Sequence, residues 1–285
     1  FDVDIFDRFV TTAGAVFSNP ECFAGYVLQK TETYEICLLE AAPVFAKISA
    51  KTHSIVLASA TLPPKPALEV ELGVLLQHHV NCSPVINLKK QLFLGAVTHY
   101  SYYGNAHAQR REDYKQSILK AISLVSQVTP GGVLVFLPSR TFLKFFEQYI
   151  RLKLKKGREI FGNKSVFFDT DHSKTQALAH RYKSRAESGA ILFTVFRGCL
   201  SEGVDFKGSH ARACIVVGVP YPPPVAFTKL KMEFQDKMHQ TLAKAESGKD
   251  YYRRLALEPV QQALGRVIRG RIDWGSVILL DRRFI

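Results

Sequence analysis

Short, continuous apolar runs alternating with stretches of helical spacing set the fold of this chain. Gly132–Leu137 (GVLVFL), Ala190–Phe196 (AILFTVF), Ala211–Val217 (ARACIVV) and Ser276–Leu280 (SVILL) have strand length and no in-out alternation, the pattern of strands buried on both faces. His53–Ser59 (HSIVLAS), Gln91–Thr98 and Ser165–Phe168 read as further strands. Between them, Ile118, Ile122 and Val125 share one face of a helix over Glu112–Gln127. Ser139 is placed to cap a helix carrying Phe142, Phe145, Phe146 and Tyr149, of which the last three read as core aromatics by default. Ser173 is placed to cap a helix running toward Glu187, and Phe227–Ala243 and Asp250–Arg269 complete the helices, after a rigid Pro220–Pro224 loop. The expected fold is α/β, a parallel sheet with helices on both faces. In such sheets ligands sit beyond the carboxyl ends of the strands.

Composition narrows the function. With 285 residues and 47% hydrophobic content the chain can bury a core. It holds 38 Lys+Arg against 25 Asp+Glu, net +13, and residues 1–50 carry 7 acidic and 3 basic residues, so the remainder carries +17. That excess favours a polyanionic partner, nucleic acid first. The densest run is Arg151, Lys153, Lys155, Lys156 and Arg158, at a helix end where cations also complement the macrodipole. Five irregularly spaced cysteines do not make a secreted disulfide framework and fit a reducing compartment. No uncharged run is an apolar span of about 20 residues, so no membrane segment is expected. The acidic start, Phe1-Asp2-Val3-Asp4, is unlike a signal peptide, and the chain reads as a fragment of something longer. His78, His79 and Cys82 lack a second ligand pair, so no metal site is expected. Tyr100, Tyr102 and Tyr103 could stack on bases, with a packed loop the plainer reading.

The informative residues follow the strands. Ser59-Ala60-Thr61-Leu62 offers hydroxyls that can relay hydrogen bonds, or an ordinary turn. Pro138-Ser139-Arg140 opens a helix, where amides and a hydroxyl can hold a phosphate or simply form an N-cap. Arg197-Gly198-Cys199-Leu200-Ser201-Glu202-Gly203-Val204-Asp205-Phe206 is the densest polar cluster, with two glycines for close backbone approach and two carboxylates that can accept from ribose or orient an arginine. Gln262, Arg266 and Arg269 have i, i+4, i+7 spacing, which would put them on one helix face beside Gly265; two such guanidiniums suit a triphosphate, or else pair with surface carboxylates. A phosphate loop is missing. Gly157 to Ser165 comes near one, but an extra Asn163 breaks the spacing and the segment precedes a strand instead of following one.

Taken in order, these motifs resemble the C-terminal motor half of the XPD/DinG-like superfamily 2 helicases, the iron–sulfur DNA helicases. Ser59-Ala60-Thr61-Leu62 is similar to motif III, Gly131–Ser139 to motif IV and Arg197–Phe206 to motif V. Gln262–Arg271, with Asp273-Trp274-Gly275 and Asp281-Arg282-Arg283-Phe284, is similar to motif VI and its trailing strand. Lys229–Phe234, Ser247–Arg253 and Gly265–Arg269 look most like the branch holding the regulator of telomere elongation helicase and FANCJ.

The resemblance implies a RecA-like second helicase motor domain over residues 63–285, preceded by the tail of the first motor domain over 1–62. It implies ATP and Mg²⁺ shared with an upstream domain of the same chain that carries the phosphate loop, a 4Fe-4S cluster also upstream, single-stranded or forked DNA as partner, 5′-to-3′ movement, and a nuclear location. Carried over by position, Arg269 would be the arginine finger, Arg266 its neighbour and Gln262 a nucleotide sensor. Glu202, Gly203, Asp205 and Gly265, with Ser59 and Thr61 at the domain link, would couple ATP to DNA. Pro138, Ser139 and Arg197 would touch the DNA backbone. Ala60, Arg140 and Gly270 depart from the family's usual Gly, aromatic and His. The alternative is a RecA-like module that binds nucleic acid or a partner without hydrolysis; a nucleotide-dependent transferase is a third reading, against which the paired arginines argue.

Overall fold

The computed structural model describes residues 11, 13, 14, 16, 18–28, 33–59, 61–83, 86–97, 108–155, 159–198, 200 and 204–285. Its strands are β1 (Phe23–Leu28), β2 (Thr33–Leu38), β3 (Leu92–Ala96), β4 (Gly132–Leu137), β5 (Ser165–Phe168), β6 (Ala190–Val195), β7 (Ala213–Val217) and β8 (Gly275–Leu280). Its helices are α1 (Ala42–Ser49), α2 (Lys65–Leu72), α3 (Leu88–Gln91), α4 (Ala108–Val128), α5 (Arg140–Lys155), α6 (Thr175–Ala186), α7 (Ala226–Thr241) and α8 (Gly248–Leu264). The chain forms two compact units, residues 1–81 with 221–255 and residues 82–220 with 256–285.

In the first unit β1 and β2 form an antiparallel ribbon with Phe23 opposite Leu38. Lys231 on α7 is buried there, 6% exposed. Its ammonium donates to the Leu39 carbonyl and lies 4.0 Å from Glu71. The rings of Phe234 and Tyr251 stand 5.6 and 5.8 Å away. Burial lowers the Lys231 pKa, and Glu71 works in the opposite direction. His53–Ser59 is not the strand its apolar run suggests. It is open coil with Val56 89% exposed. A strand exists only with a ladder partner, and none pairs with this run among the described residues.

The second unit holds a six-stranded sheet in the order β3-β8-β7-β4-β6-β5, every pair parallel. Central β4 is buried along its whole length. Its alternation divides the core: Val133, Val135 and Leu137 face one layer, Leu134 and Phe136 the other. The first layer takes Ile118 and Ile122 of α4 and Phe142, Phe146 and Ile150 of α5; the second takes Ala179 and Tyr182 of α6 and Val260 and Ala263 of α8. Phe193 stacks on Phe168 at 4.9 Å and meets the edge of Phe146 at 6.0 Å. Each such ring, fully buried, contributes about 1.5–3 kcal/mol. The expected doubly covered parallel sheet is the observed one.

Three local expectations are corrected. Phe145 is 58% exposed, because α5 turns Phe142, Phe146 and Tyr149 inward and leaves Phe145 on the outer flank. Ser173 does not cap α6. Asp171 accepts from the Ser173 amide and hydroxyl at 3.0 and 2.7 Å in the turn before it, and those bonds hold its carboxyl below the usual range. Most consequentially, α8 ends at Leu264 and not at Arg269. Gly265 follows, and the amides of Arg266 and Val267 turn to i−3 carbonyls at 3.1 and 3.2 Å. Gln262, Arg266 and Arg269 therefore share no helix face.

Candidate nucleotide and nucleic-acid interface

At the carboxyl edge of the sheet, β4, β5 and β6 deliver their following residues to one neighbourhood. After β4, the Ser139 hydroxyl accepts from the Phe142 amide at 3.1 Å, so it is the N-cap of α5. Next to it Arg140 donates to the Asp169 carbonyl after β5 at 3.4 Å, and its guanidinium borders the space above Gly198 after β6. Asp169 is fully buried; its Oδ2 accepts from Thr194 at 2.8 Å and its Oδ1 from Thr175 at 3.5 Å. Arg197 has a left-handed backbone, φ 56°, unlike any other described non-glycine residue. That conformation costs about 1–2 kcal/mol. It turns the chain off β6 with the Arg197 side chain exposed and reaching the Pro220 carbonyl at 3.4 Å.

The segment after Arg197 runs back along the second layer to the opposite edge. Leu200 and Phe206 are buried there, and the His210 carbonyl accepts from Tyr182 at 2.7 Å. A Cβ on Gly132, the first residue of β4, would collide with both the His210 carbonyl and the Tyr182 hydroxyl, so this end of the segment requires glycine opposite it. Midway, the two arginines meet the segment. Buried Arg266 donates to the Val204 carbonyl. The Nε of Arg269 lies 3.6 Å from Asp205, with the Arg269 side chain 38% exposed. Asp273 fixes the backbone behind them: its Oδ2 accepts from the Arg269 and Gly270 amides at 2.9 and 2.8 Å, and Arg212 stands 3.8 Å away. Arg212 in turn lies 4.6 Å over the Trp274 ring.

The structure thus brings Asp205, Arg266 and Arg269 together, and gathers Ser139 and Arg197 with Pro138 at the carboxyl edge. Gln262 is exposed on the last turn of α8. A Cβ at Gly265 would meet only the Gln261 and Gln262 carbonyls at 3.6 Å, ordinary contact, so nothing within the chain demands glycine there. Ser59 and Thr61 belong to the first unit, where the Ser59 hydroxyl accepts from the Thr61 amide at 3.1 Å in a short turn. Glu202 and Gly203 lie outside the described residues, as do Ala60, Cys199, Tyr100, Tyr102 and Tyr103. Lys164 of the near-miss phosphate loop donates to the Gly131 carbonyl at 2.7 Å immediately before β5, a structural tie. His78, His79 and Cys82 are exposed, and among the described residues no group of three His, Cys, Asp or Glu could hold a metal ion. None of these helices is long and apolar enough to cross a membrane. Asp169 and Thr194 were not singled out in the sequence, and Asp273 only as part of the motif VI resemblance; the signal for Asp169 was an acid immediately after an apolar strand.

A parallel sheet of this order, with motif-like segments meeting on one of its covered faces, defines a RecA-like helicase lobe. The family model described as "Helicase C-terminal domain" matches residues 122–285, and the chain belongs to that family, in the C-terminal motor region of superfamily 2 helicases homologous to XPD and the regulator of telomere elongation helicase. It is 33% identical over 248 residues to regulator of telomere elongation helicase 1 of Mus musculus, covering 81% of this chain and 20% of that one. The Arabidopsis thaliana homolog is 34% identical over 266 residues, 81% and 24% of the two chains. ATP-dependent DNA helicase CHL1 of Yarrowia lipolytica is 30% identical over 299 residues, 94% and 36%. The chain therefore spans about a fifth to a third of the length of these relatives. A solved XPD helicase structure shares the fold with a TM-score of 0.64 at 19% identity, covering 92% of this chain and 45% of that one.

Proposed function

We propose that the chain is the C-terminal motor part of an ATP-dependent DNA helicase, moving 5′ to 3′ on single-stranded or forked DNA in genome maintenance in the nucleus. In this reading residues 1–62 finish the first motor domain and residues 63–285 form the second. An upstream domain contributes the phosphate loop, the Mg²⁺ ligands and the 4Fe-4S cluster. Bound ATP supplies the phosphoryl group whose terminal charge the exposed guanidinium of Arg269 would neutralise. The basic, half-exposed character of Arg269 suits such an anion, and the bond from Arg266 to Val204 would keep the two motifs in register. Gln262 would sense the nucleotide, beside Gly265. Glu202, Gly203 and Asp205 would couple it to DNA, with Ser59 and Thr61 linking the domains. Pro138, Ser139 and Arg197 would carry the DNA backbone.

The observation that supports this best is the path of one segment: it starts at Arg197 on the carboxyl edge and passes Asp205 beside Arg269 before ending at His210. Ligands at its two ends would act on one stretch of backbone, a contiguous route by which each could bias the other. The test is Arg269→Ala in the full-length parent chain. DNA-stimulated ATP turnover should fall by about a thousandfold or more while DNA affinity holds. Normal turnover would refute the finger assignment, and a parent chain with no ATPase at all would favour a non-hydrolytic binding module.

A further inference from the structure

We infer that the groove between α4 and α5 is a docking site for an acidic, amphipathic segment of a partner protein. The groove encloses about 370 Å³ and is lined by Glu112 and Lys115 of α4 and by Phe145, Gln148, Tyr149, Leu152 and Lys153 of α5. A volume of this size accepts a bulky side chain. Phe145 and Leu152 are 58% and 61% exposed although α5 already buries Phe142, Phe146 and Ile150 in the core. They stand two helical turns apart on the flank that the core does not use, about 10 Å along the axis. That spacing matches the i, i+7 anchors of an amphipathic helix lying along α5.

Charge selects the occupant. The ammonium groups of Lys115 and Lys153 converge on Tyr149, each 5.1 Å from its ring centroid, one from either wall. Glu112 pairs with Lys115 at 2.7 Å, so the rim keeps a cationic excess. An apolar floor between convergent lysines is complementary to a segment whose apolar anchors are flanked by Glu or Asp. Nucleic acid fits less well: Leu152 offers no ring for a base, and a carboxylate stands on the rim. The groove begins about 8 Å along α5 from Arg140 and ends about 20 Å from it, so its lining is separate from the carboxyl edge. The inference rests on the groove itself and is independent of the motor reading.

The test uses the full chain and two fluorescein-labelled synthetic peptides of about 18 residues, with Leu and Phe at helical spacing and Glu or Lys at the other positions. Fluorescence anisotropy should show micromolar binding of the Glu peptide, weakened at least fivefold for the Lys peptide and by added salt. Phe145→Ser should weaken the Glu peptide about tenfold or more, and Lys153→Glu about fivefold, with unchanged circular dichroism, and with unchanged melting for Phe145→Ser because its side chain is exposed. Equal binding of the two peptides, or undiminished binding to Phe145→Ser, would overturn the proposal. So would displacement of the peptide by a single-stranded dT oligonucleotide that itself loses affinity in Phe145→Ser, or a dimer in sedimentation that disappears in that variant; the first would mark a nucleic-acid site and the second a contact between two copies.

Discussion

The guanidinium Nε of Arg269 lies 3.6 Å from Oδ1 of Asp205, and the same carboxylate is 3.2 Å from Lys207. Asp205 is 46% exposed, so the pair contributes little to folding, about 0–1 kcal/mol. Its consequence is orientation. Asp205→Ala should leave urea unfolding of the chain within about 1 kcal/mol of the parent sequence. In the full-length protein it should lower DNA-stimulated ATPase about tenfold or more, through misplacement of Arg269. Undiminished turnover would show that the pair aims nothing.

Arg197 separates backbone cost from side-chain function. Its φ of 56° is unfavourable by about 1–2 kcal/mol for any residue with a Cβ. Glycine removes that cost and adds about 0.5–1 kcal/mol of unfolded-state entropy. Arg197→Gly should therefore shift stability by no more than about 1 kcal/mol in either direction. If Arg197 contacts a phosphate, the same change weakens dT oligonucleotide binding and reduces the slope of log affinity against log salt by about one. Titrations at several salt concentrations with an unaltered slope would remove Arg197 from the DNA interface.

The sheet was legible because β4, β6, β7 and β8 are apolar along nearly their whole length, Thr194 and Ser276 excepted, as a doubly covered parallel sheet requires. The His53–Ser59 run shows the limit of that logic: composition reports strand propensity but not the neighbour that completes a ladder. The arginine site was legible in its residues and misread in its geometry. A spacing of i, i+4, i+7 means one face only while the helix lasts, and this one ends at Leu264. What then holds Arg269 is Asp273, which accepts two backbone amides, an arrangement with no periodic signature. Phe145 was misread for a related reason. Four aromatics in eight residues exceed what one buried stripe of α5 can take, so one of them faces out.

Asp169 and Thr194 should be energetically coupled. The Thr194 hydroxyl donates to Asp169 Oδ2 at 2.8 Å, with both side chains buried. Thr194→Val deprives a buried carboxylate of this donor and should cost about 1.5–3 kcal/mol by urea unfolding. Asp169→Asn alone is also destabilising. The double substitution should cost at least about 0.5 kcal/mol less than the two combined. Strict additivity in the double-mutant cycle would mean that the two groups do not stabilise one another.

Acidification should destabilise the chain partly through His210. Burial, followed by the nearby charge of Lys183, lowers the His210 pKa below its ordinary 6.5, and Glu187 and Asp205 only partly oppose this. The folded state therefore resists protonation. As pH falls through 6.5 the unfolded chain takes up a proton that the folded chain does not, so stability declines until the lower folded pKa is passed. Above 6.5 both states carry neutral imidazole and the effect is absent. His210→Gln retains the main-chain carbonyl that accepts from Tyr182, so it removes the titration and keeps that bond. Melting temperatures measured from pH 7.5 to 5.5 should fall less steeply for His210→Gln than for the parent chain. Parallel pH profiles would assign the acid sensitivity to other groups.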